Sequence, residues 1–486
     1  MNLNCDRDLH LTHWFRAFGS VLFLCLLPFA VAASDNGSSH SDPIAPVILG
    51  ATGILFFAIV GRMAARWLKQ PPVLGELLMG IFLGNLGYYF GSELIILLRQ
   101  GPELLETIQL ILQGHSMPEV VRSTLDPVAA QKVIDALEGP HGGELIQVAQ
   151  TVDVFSRYGV IFLLFMVGLD TSLDKLRQVG AESIRVAFLG SFVPMLLGMG
   201  ALLLLAPDLP VNTDIFVGAT LAATSVGITA RVLKDMKKNE SHEAYVILGA
   251  AVMDDILGLL LLAIVSGVIV SGGVDWGEIS LVVVFVAIFL GGAIWLGPYL
   301  VRIMVKALSR LDLVEAKMFT SYLFVMILAW FANLAGLATI IGAFTAGLIL
   351  HDAYFSYGSK KGSYRYTIKD LIMPLEVILV PIFFVLMGIQ VKLETFYDSQ
   401  VLLIAGGLIF VAVLGKLLSG LGAAKGTNGW AVGIGMMPRG EVGLIFAAIG
   451  KSLGVMSDAL FSAVVLMVIV TTVIAPPLFK LALQRR

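Results

Sequence analysis

The sequence predicts an all-α polytopic membrane protein, and three observations carry that prediction. Of its 486 residues 57% are hydrophobic and only 14% charged. Apolar runs of about 18 residues or more, the length a helix needs to cross a bilayer, recur from end to end. Basic residues gather in every second connection between those runs, as they do when alternate loops face the cytoplasm.

Thirteen membrane helices are expected, near residues 45–66, 72–91, 150–170, 184–206, 213–233, 244–271, 279–306, 316–336, 337–352, 369–392, 400–424, 428–450 and 457–482. They follow a leader, residues 1–33, that reads as a signal peptide. Arg7 and Arg16 precede the apolar stretch Ala17 to Val31, and Ala30, Val31 and Ala32 offer a small-residue cleavage site. Both cysteines, Cys5 and Cys25, lie in that leader, so neither a disulfide framework nor a cysteine-ligated metal is expected in the body.

With the first helix running inward, about 22 of the 32 basic residues fall on the cytoplasmic side, among them Arg62, Lys175, Lys238, Arg310 and Lys425. The predicted orientation is therefore N-terminus outside and C-terminus cytoplasmic. The net charge of −3 is divided among short loops and offers no surface for nucleic acid. One long outer insertion, 92–149, interrupts the pattern, with amphipathic stretches at 102–113 and 127–138; its His115 and His141 are too isolated to suggest a metal site. No P-loop, HExxH or other cofactor motif occurs, so neither an enzyme nor a resident cofactor is expected.

The chemistry concentrates in four places. Asp254 and Asp255 sit side by side in AYVILGAAVMDDILGLLLLAIVSGVIV, residues 244–270, a run without a basic residue. A charge at mid-bilayer costs about 2.5–3.5 kcal/mol even on lenient scales, so two adjacent carboxylates mark where a cation or proton is held. In the fifth helix, GATLAATSVGITARVLKD (218–235), Thr220, Thr224, Ser225 and Thr229 replace the usual leucines, and Gly227 is a plausible unwinding point whose freed carbonyls could coordinate a cation. In the twelfth, WAVGIGMMPRGEVGLIFAAIG (430–450), Pro438 between Gly435 and Gly440 predicts a second break, with Arg439 and Glu441 placed to cap or neutralise the half-helix ends. Lys416, deep in the eleventh helix, needs a carboxylate partner, and Asp254 and Asp255 are the best buried acids for it. Neighbours on a helix point about 100° apart, so one aspartate can face Lys416 while the other faces a water-filled cation path.

The two interrupted helices take matching places in helices 1–6 and 8–13, which start on opposite sides of the membrane. That predicts two inverted six-helix repeats with helix seven, 279–306, as linker.

ATSVGITARVLKD followed by ILGAAVMDDILGLL strongly resembles the cation:proton antiporter family, in its branch of bacterial NapA-type sodium/proton antiporters. QPPVLGELLMGIFLG (70–84), FLLFMVGLD (162–170), GAFTAGLIL (342–350) and MMPRGEVGLI (436–445) are similar to the family's other signatures. The resemblance implies that Asp255 carries the ion or proton, as the ligand of the transported Na⁺. It makes Asp254 the neighbour paired with Lys416, and puts Thr224 and Ser225 where two broken helices cross in a core domain. Arg439 and Glu441 match its basic and acidic pair. It further implies a core domain built from 184–271 and 400–482, a dimer or scaffold domain from 45–170 and 316–392, a homodimer, and elevator-like alternating access. The function expected is secondary active exchange of Na⁺ or Li⁺ for H⁺, electrogenic if the Asp254–Lys416 pair also releases a proton. A potassium/proton antiporter of the same fold, or a non-transporting channel or sensor on that scaffold, are the alternatives. The related glutathione-gated potassium efflux systems carry a nucleotide-binding domain after the membrane part and typically Gln-Asp where this chain has Asp-Asp; neither feature is expected here.

Overall fold

The computed structural model describes residues 44–484 except 69, 102–116, 126, 171–179, 226–228, 230–231, 234–235, 237, 239–240, 272–275, 309, 336 and 356–365. The leader, both cysteines, the stretch expected to be helical at 102–113, His115 and the unwinding point at Gly227 lie outside the described residues.

Among the described residues, all regular structure is helical. Ala45–Trp67 (α1) and Pro72–Tyr89 (α2) form the first hairpin; Glu93–Gln100 (α3), Met117–Thr124 (α4) and Pro127–Glu138 (α5) lie in the described part of the insertion. Then come Gly142–Asp170 (α6), Ala181–Leu205 (α7), Val211–Thr220 (α8), His242–Ser271 (α9) and Trp276–Ala307 (α10). Leu313–Leu334 (α11), Thr339–Ile349 (α12), Ile368–Ile389 (α13), Ser399–Ser419 (α14), Gly429–Gly435 (α15), Glu441–Ser452 (α16) and Asp458–Gln484 (α17) complete it. Among the described residues, nine helices are long and apolar enough to cross a membrane. The remaining expected spans are shorter pieces: α2, α8, α12, and the pair α15–α16, which is one expected helix in two parts. The third expected helix starts earlier than its apolar stretch, at Gly142 rather than near 150, so it projects into the insertion.

Local chemistry sets the ends. Thr367 and Asp370 form a reciprocal capping box that starts α13. Asp312, Asp398 and Asn428 each accept a backbone N–H at the start of α11, α14 and α15.

Two sets of helices pack among themselves. α7 lies against α8, α9 and α14, and α14 against α17; α6 lies against α12 and α13, and α2 against α1 and α13. Polar contacts show that segments expected to share a side do meet. At one end Lys369 binds Asp170 (2.6 Å), Lys317 binds Asp352 (2.8 Å), and Lys238 Nζ donates to Leu483 O (2.5 Å). At the other, Arg99 binds Glu394, and Lys392 binds Asp458. The latter end carries the insertion and is called the outer end below.

Within the second set the helices approach at small residues, as expected where lipid gives no hydrophobic drive and close packing must do the work. Gly80 on α2 and Gly388 on α13 face each other. A Cβ on Gly80 would fall 2.2 Å from Val385 O, and one on Gly388 would fall 2.3 Å from Leu77 O. Both obstacles are backbone, which cannot rotate away. Gly388→Val is expected to lower the thermal unfolding midpoint in detergent clearly. Gly200→Ala, where nothing lies within 4 Å, should leave it unchanged or slightly raised, as Ala is the better helix former.

Candidate functional site

Both interrupted helices are broken at the middle of the bundle, and the breaks cross. Helical structure in α8 stops at Thr220, with a turn at Leu221–Ala222 and non-helical chain through Ser225. The second interruption is Met436 to Gly440, with Pro438 inside it, between α15 and α16. The backbone N–H of Ser225 donates to Pro438 O at 2.8 Å, joining one break directly to the other. Thr229 Oγ1 donates to Gly435 O at 2.6 Å, and Thr472 Oγ1 on α17 donates to Arg439 O at 3.0 Å. Carbonyls that a continuous helix would have satisfied are thus taken up by hydroxyls and by the opposite break, which a water-free interior requires.

The carbonyls expected to be freed at Gly227 lie outside the described residues, but those of Thr220, Ala222 and Ala223, at the end of α8, do not stand open to a cation. Arg439 Nη1 donates to Thr220 O (3.3 Å) and Ala223 O (3.2 Å). Lys416 Nζ donates to Ala222 O and to Thr224 Oγ1, both at 2.6 Å. The physical reason is the helix dipole. The C-terminal end of α8 presents partial negative charge, and two basic side chains, both fully buried, sit there as its counter-charge.

The carboxylates divide as their adjacent positions imply. Asp254 is 1% exposed; its Oδ1 accepts from Ser191 Oγ on α7 (2.7 Å) and lies 3.6 Å from Lys416 Nζ. Its Oδ2 is buried with no donor among the described residues. Asp255, on the neighbouring face of α9, is only partly buried. Lys416 lies within electrostatic range of Asp254, Asp255 and Arg439, so the crossing holds two carboxylates against two cations. Glu441 opens α16, but its side chain lies outside what the structure describes. Ser191 is the member the sequence reading missed. A lone serine in an apolar helix looks like a packing residue, and it does also donate to Ala187 O (3.0 Å); only the fold shows Asp254 above it.

A cavity of about 530 Å³ opens at the outer end, where α6, α12 and α13 face α9 and α16. Asp153, Ser156, Asn333, Gln390 and Ser452 supply polar groups to its wall. Ser266 on α9, another wall residue, stands about three helical turns from Asp255.

Arg439→Met is expected to destabilise the fold by about 1–3 kcal/mol for each carbonyl left without a donor. Arg439→Lys keeps the charge but not the planar fork and should recover only part of the loss. Thermal unfolding in detergent reads both.

Comparison with known proteins gives a consistent picture. The family model described as "Sodium/hydrogen exchanger, transmembrane" matches residues 117–485. The chain is 34% identical over 444 residues to the high-affinity Na(+)/H(+) antiporter NhaS3 of Synechocystis sp., covering 89% of each. It is 31% identical over 366 residues to the Na(+)/H(+)-K(+) antiporter GerN of Bacillus cereus, covering 74% of this chain and 90% of that one. Its fold is similar to the solved sodium proton antiporter MjNhaP1 of Methanocaldococcus jannaschii, with a TM-score of 0.59 at 18% identity, over 91% of this chain and 99% of that one. Crossed helix breaks around a charge-balanced carboxylate pair, and a family match over most of the chain, lead to one conclusion: the chain belongs to the transmembrane sodium/hydrogen exchanger family.

Proposed function

We propose that the protein exchanges Na⁺ or Li⁺ for H⁺ across a bacterial inner membrane as a secondary active antiporter, with Asp255 as the carrier of both. The observation that carries this reading is the division of labour between adjacent aspartates. Asp254 is sealed against Lys416 and Ser191, while Asp255 is partly accessible on the next face of the same helix.

Charge balance then supplies the mechanism. With both aspartates ionised and both Lys416 and Arg439 charged, the crossing is neutral overall. Adding one cation leaves a single excess positive charge; adding a second would cost far more in a low-dielectric interior. Sodium and a proton therefore compete for Asp255 and do not occupy it together, which is what obligatory exchange requires. If the Asp254–Lys416 pair loses its proton in the sodium-bound form, two protons move per sodium and transport is electrogenic. The membrane potential then contributes about 2.3 kcal/mol per net charge per 100 mV.

The remaining expectations belong to the same proposal. Thirteen membrane helices form two inverted six-helix repeats, with the N-terminus outside and the C-terminus cytoplasmic. Residues 184–271 and 400–482 make a core domain that moves as an elevator against a dimer domain of 45–170 and 316–392, and two chains form a homodimer. The mutual packing of α7, α8, α9, α14 and α17, apart from that of α1, α2, α6, α12 and α13, supports the division. A second reading, potassium/proton exchange at the same site, has one observation in its favour: GerN is described as a Na(+)/H(+)-K(+) antiporter.

Inside-out vesicles with an acid lumen and a pH-sensitive dye test the proposal. Na⁺ and Li⁺ should discharge the gradient, and Asp255→Asn should abolish the response. Since protons compete for the carrier, the Na⁺ concentration giving half-maximal rate should rise as pH falls, with the maximal rate less affected. A response to K⁺ alone would favour the second reading, and no response to any cation would overturn both.

Lys416→Ala should retain exchange but lose its electrogenicity. Proteoliposomes clamped at different potentials with potassium and valinomycin would show Na⁺-driven H⁺ movement that no longer depends on voltage.

A further inference from the structure

The outer insertion contributes none of the side chains placed at the crossing above, yet one of its residues is one of the most deeply buried cations among the described residues. Arg99, on α3, is 1% exposed. Its Nη2 donates to Asn85 Oδ1 (2.9 Å) and to the carboxylate of Glu394, and its guanidinium lies 4.2 Å from the centre of the Tyr88 ring. Lys132, from α5, stands 3.7 Å from the same ring centre. The insertion is therefore fastened to the end of α2 and, through Glu394, to the segment Gln390–Asp398.

That segment is the covalent connector from α13, in one helix set, to α14, in the other. Four consecutive residues of it are gripped from both sets. Asn85 on α2 donates from Nδ2 to Val391 O (3.0 Å) and accepts the N–H of Leu393 at Oδ1 (3.1 Å). Lys392, between them, turns the other way: its N–H donates to Ser462 Oγ on α17 (3.2 Å), and its ammonium donates to Asp458, which begins α17. Asp458 also holds Lys451, the end of α16, at 2.6 Å. Glu394 returns to Arg99. Lys392 has extended backbone geometry, and in extended chain successive residues face opposite sides; here the two sides are the two helix sets. Gly101 fits the same design. Its φ of +62° turns the chain after α3, and a Cβ there would lie 2.7 Å from Gln390 Oε1.

We propose that Val391–Glu394 is the outer pivot of the transport cycle, with Asn85, Arg99 and Asp458 as positioning residues and the insertion as the strut that delivers Arg99. The inference rests on the two-body movement proposed above. Where both bodies hold the same four residues, the bodies do not slide past each other; sliding occurs elsewhere along the seam, such as across the outer cavity between α6 and α16. Loosening the pivot leaves cation binding at Asp255 intact and makes core movements less often productive, so turnover falls at unchanged half-saturating Na⁺.

The test uses full-length protein in proteoliposomes with Cys5 and Cys25 changed to Ser. Arg99→Cys/Glu394→Cys, unlinked, should lose turnover several-fold per folded molecule without a shift in half-saturating Na⁺. Joining the two thiols with a short bifunctional reagent should restore it. Val160→Cys/Ile445→Cys, two positions that line the cavity from α6 and α16, should be blocked by the same treatment. Glu394→Gln, at a half-exposed site, should show a milder loss of the same kind. Turnover abolished by the Arg99–Glu394 link, or unchanged in the unlinked double variant and in Glu394→Gln, would overturn the pivot. Continued transport with the cavity linked would instead overturn the two-body movement itself, whatever the pivot variants did.

Discussion

Every break in a helix inside a bilayer exposes peptide groups that no water can satisfy, and the whole centre of this protein is arranged around that constraint. α8 and α15–α16 are both interrupted there. The crossing is tolerated because each break serves as the other's partner: Ser225 N–H to Pro438 O, Thr229 Oγ1 to Gly435 O, Arg439 to the carbonyls of Thr220 and Ala223, Lys416 to that of Ala222. Two buried cations follow from this, and a buried and a partly buried carboxylate follow from the cations. A lone buried charge is expensive, and removing one member of a buried pair costs about 3–5 kcal/mol. The carboxylate site is thus the electrostatic complement of a broken-helix crossing.

That view changes what the freed carbonyls are for. In the sequence, carbonyls freed at Gly227 looked like ligands for a travelling cation. In the structure those of Thr220, Ala222 and Ala223 are taken by side chains of the protein itself, and the buried Oδ2 of Asp254 is left without a donor among the described residues. The same logic recurs at the outer end, where Asn85, Arg99 and Asp458 satisfy a connector that must pass between two helix sets. Charged and amide side chains act there as clamps on main chain, and the insertion adds to them.

Much of this was legible because bilayers make loud demands on sequence. Helices must be long and apolar, loops must carry their charges on one side, and a charge at mid-membrane stands out against leucine. Asp254, Asp255, Lys416 and Pro438 could be singled out for that reason, and the pairing of Lys416 with one of the aspartates followed from the cost of leaving either alone. The quiet residues were harder. Ser191, Thr472 and Asn85 are ordinary in composition and acquire meaning only from what the fold sets beside them, across 63, 33 and 306 residues of chain respectively. The start of α6 at Gly142 was hidden too, because its first turns lie beyond the apolar stretch that marks the span.

The sequence by itself determined the all-helical membrane class, which two helices break, and the charges that had to be matched, since each is a local consequence of placing peptide and charge in hydrocarbon. Only the tertiary structure decided which charge meets which: that Asp254 and not Asp255 lies against Lys416, that the cations take the α8 carbonyls, and that the connector after α13 is held from both sides. Those choices depend on the relative rotation and depth of packed helices. Small residues such as Gly80 and Gly388 help fix that packing through contacts between segments far apart in the chain, and no local pattern encodes it.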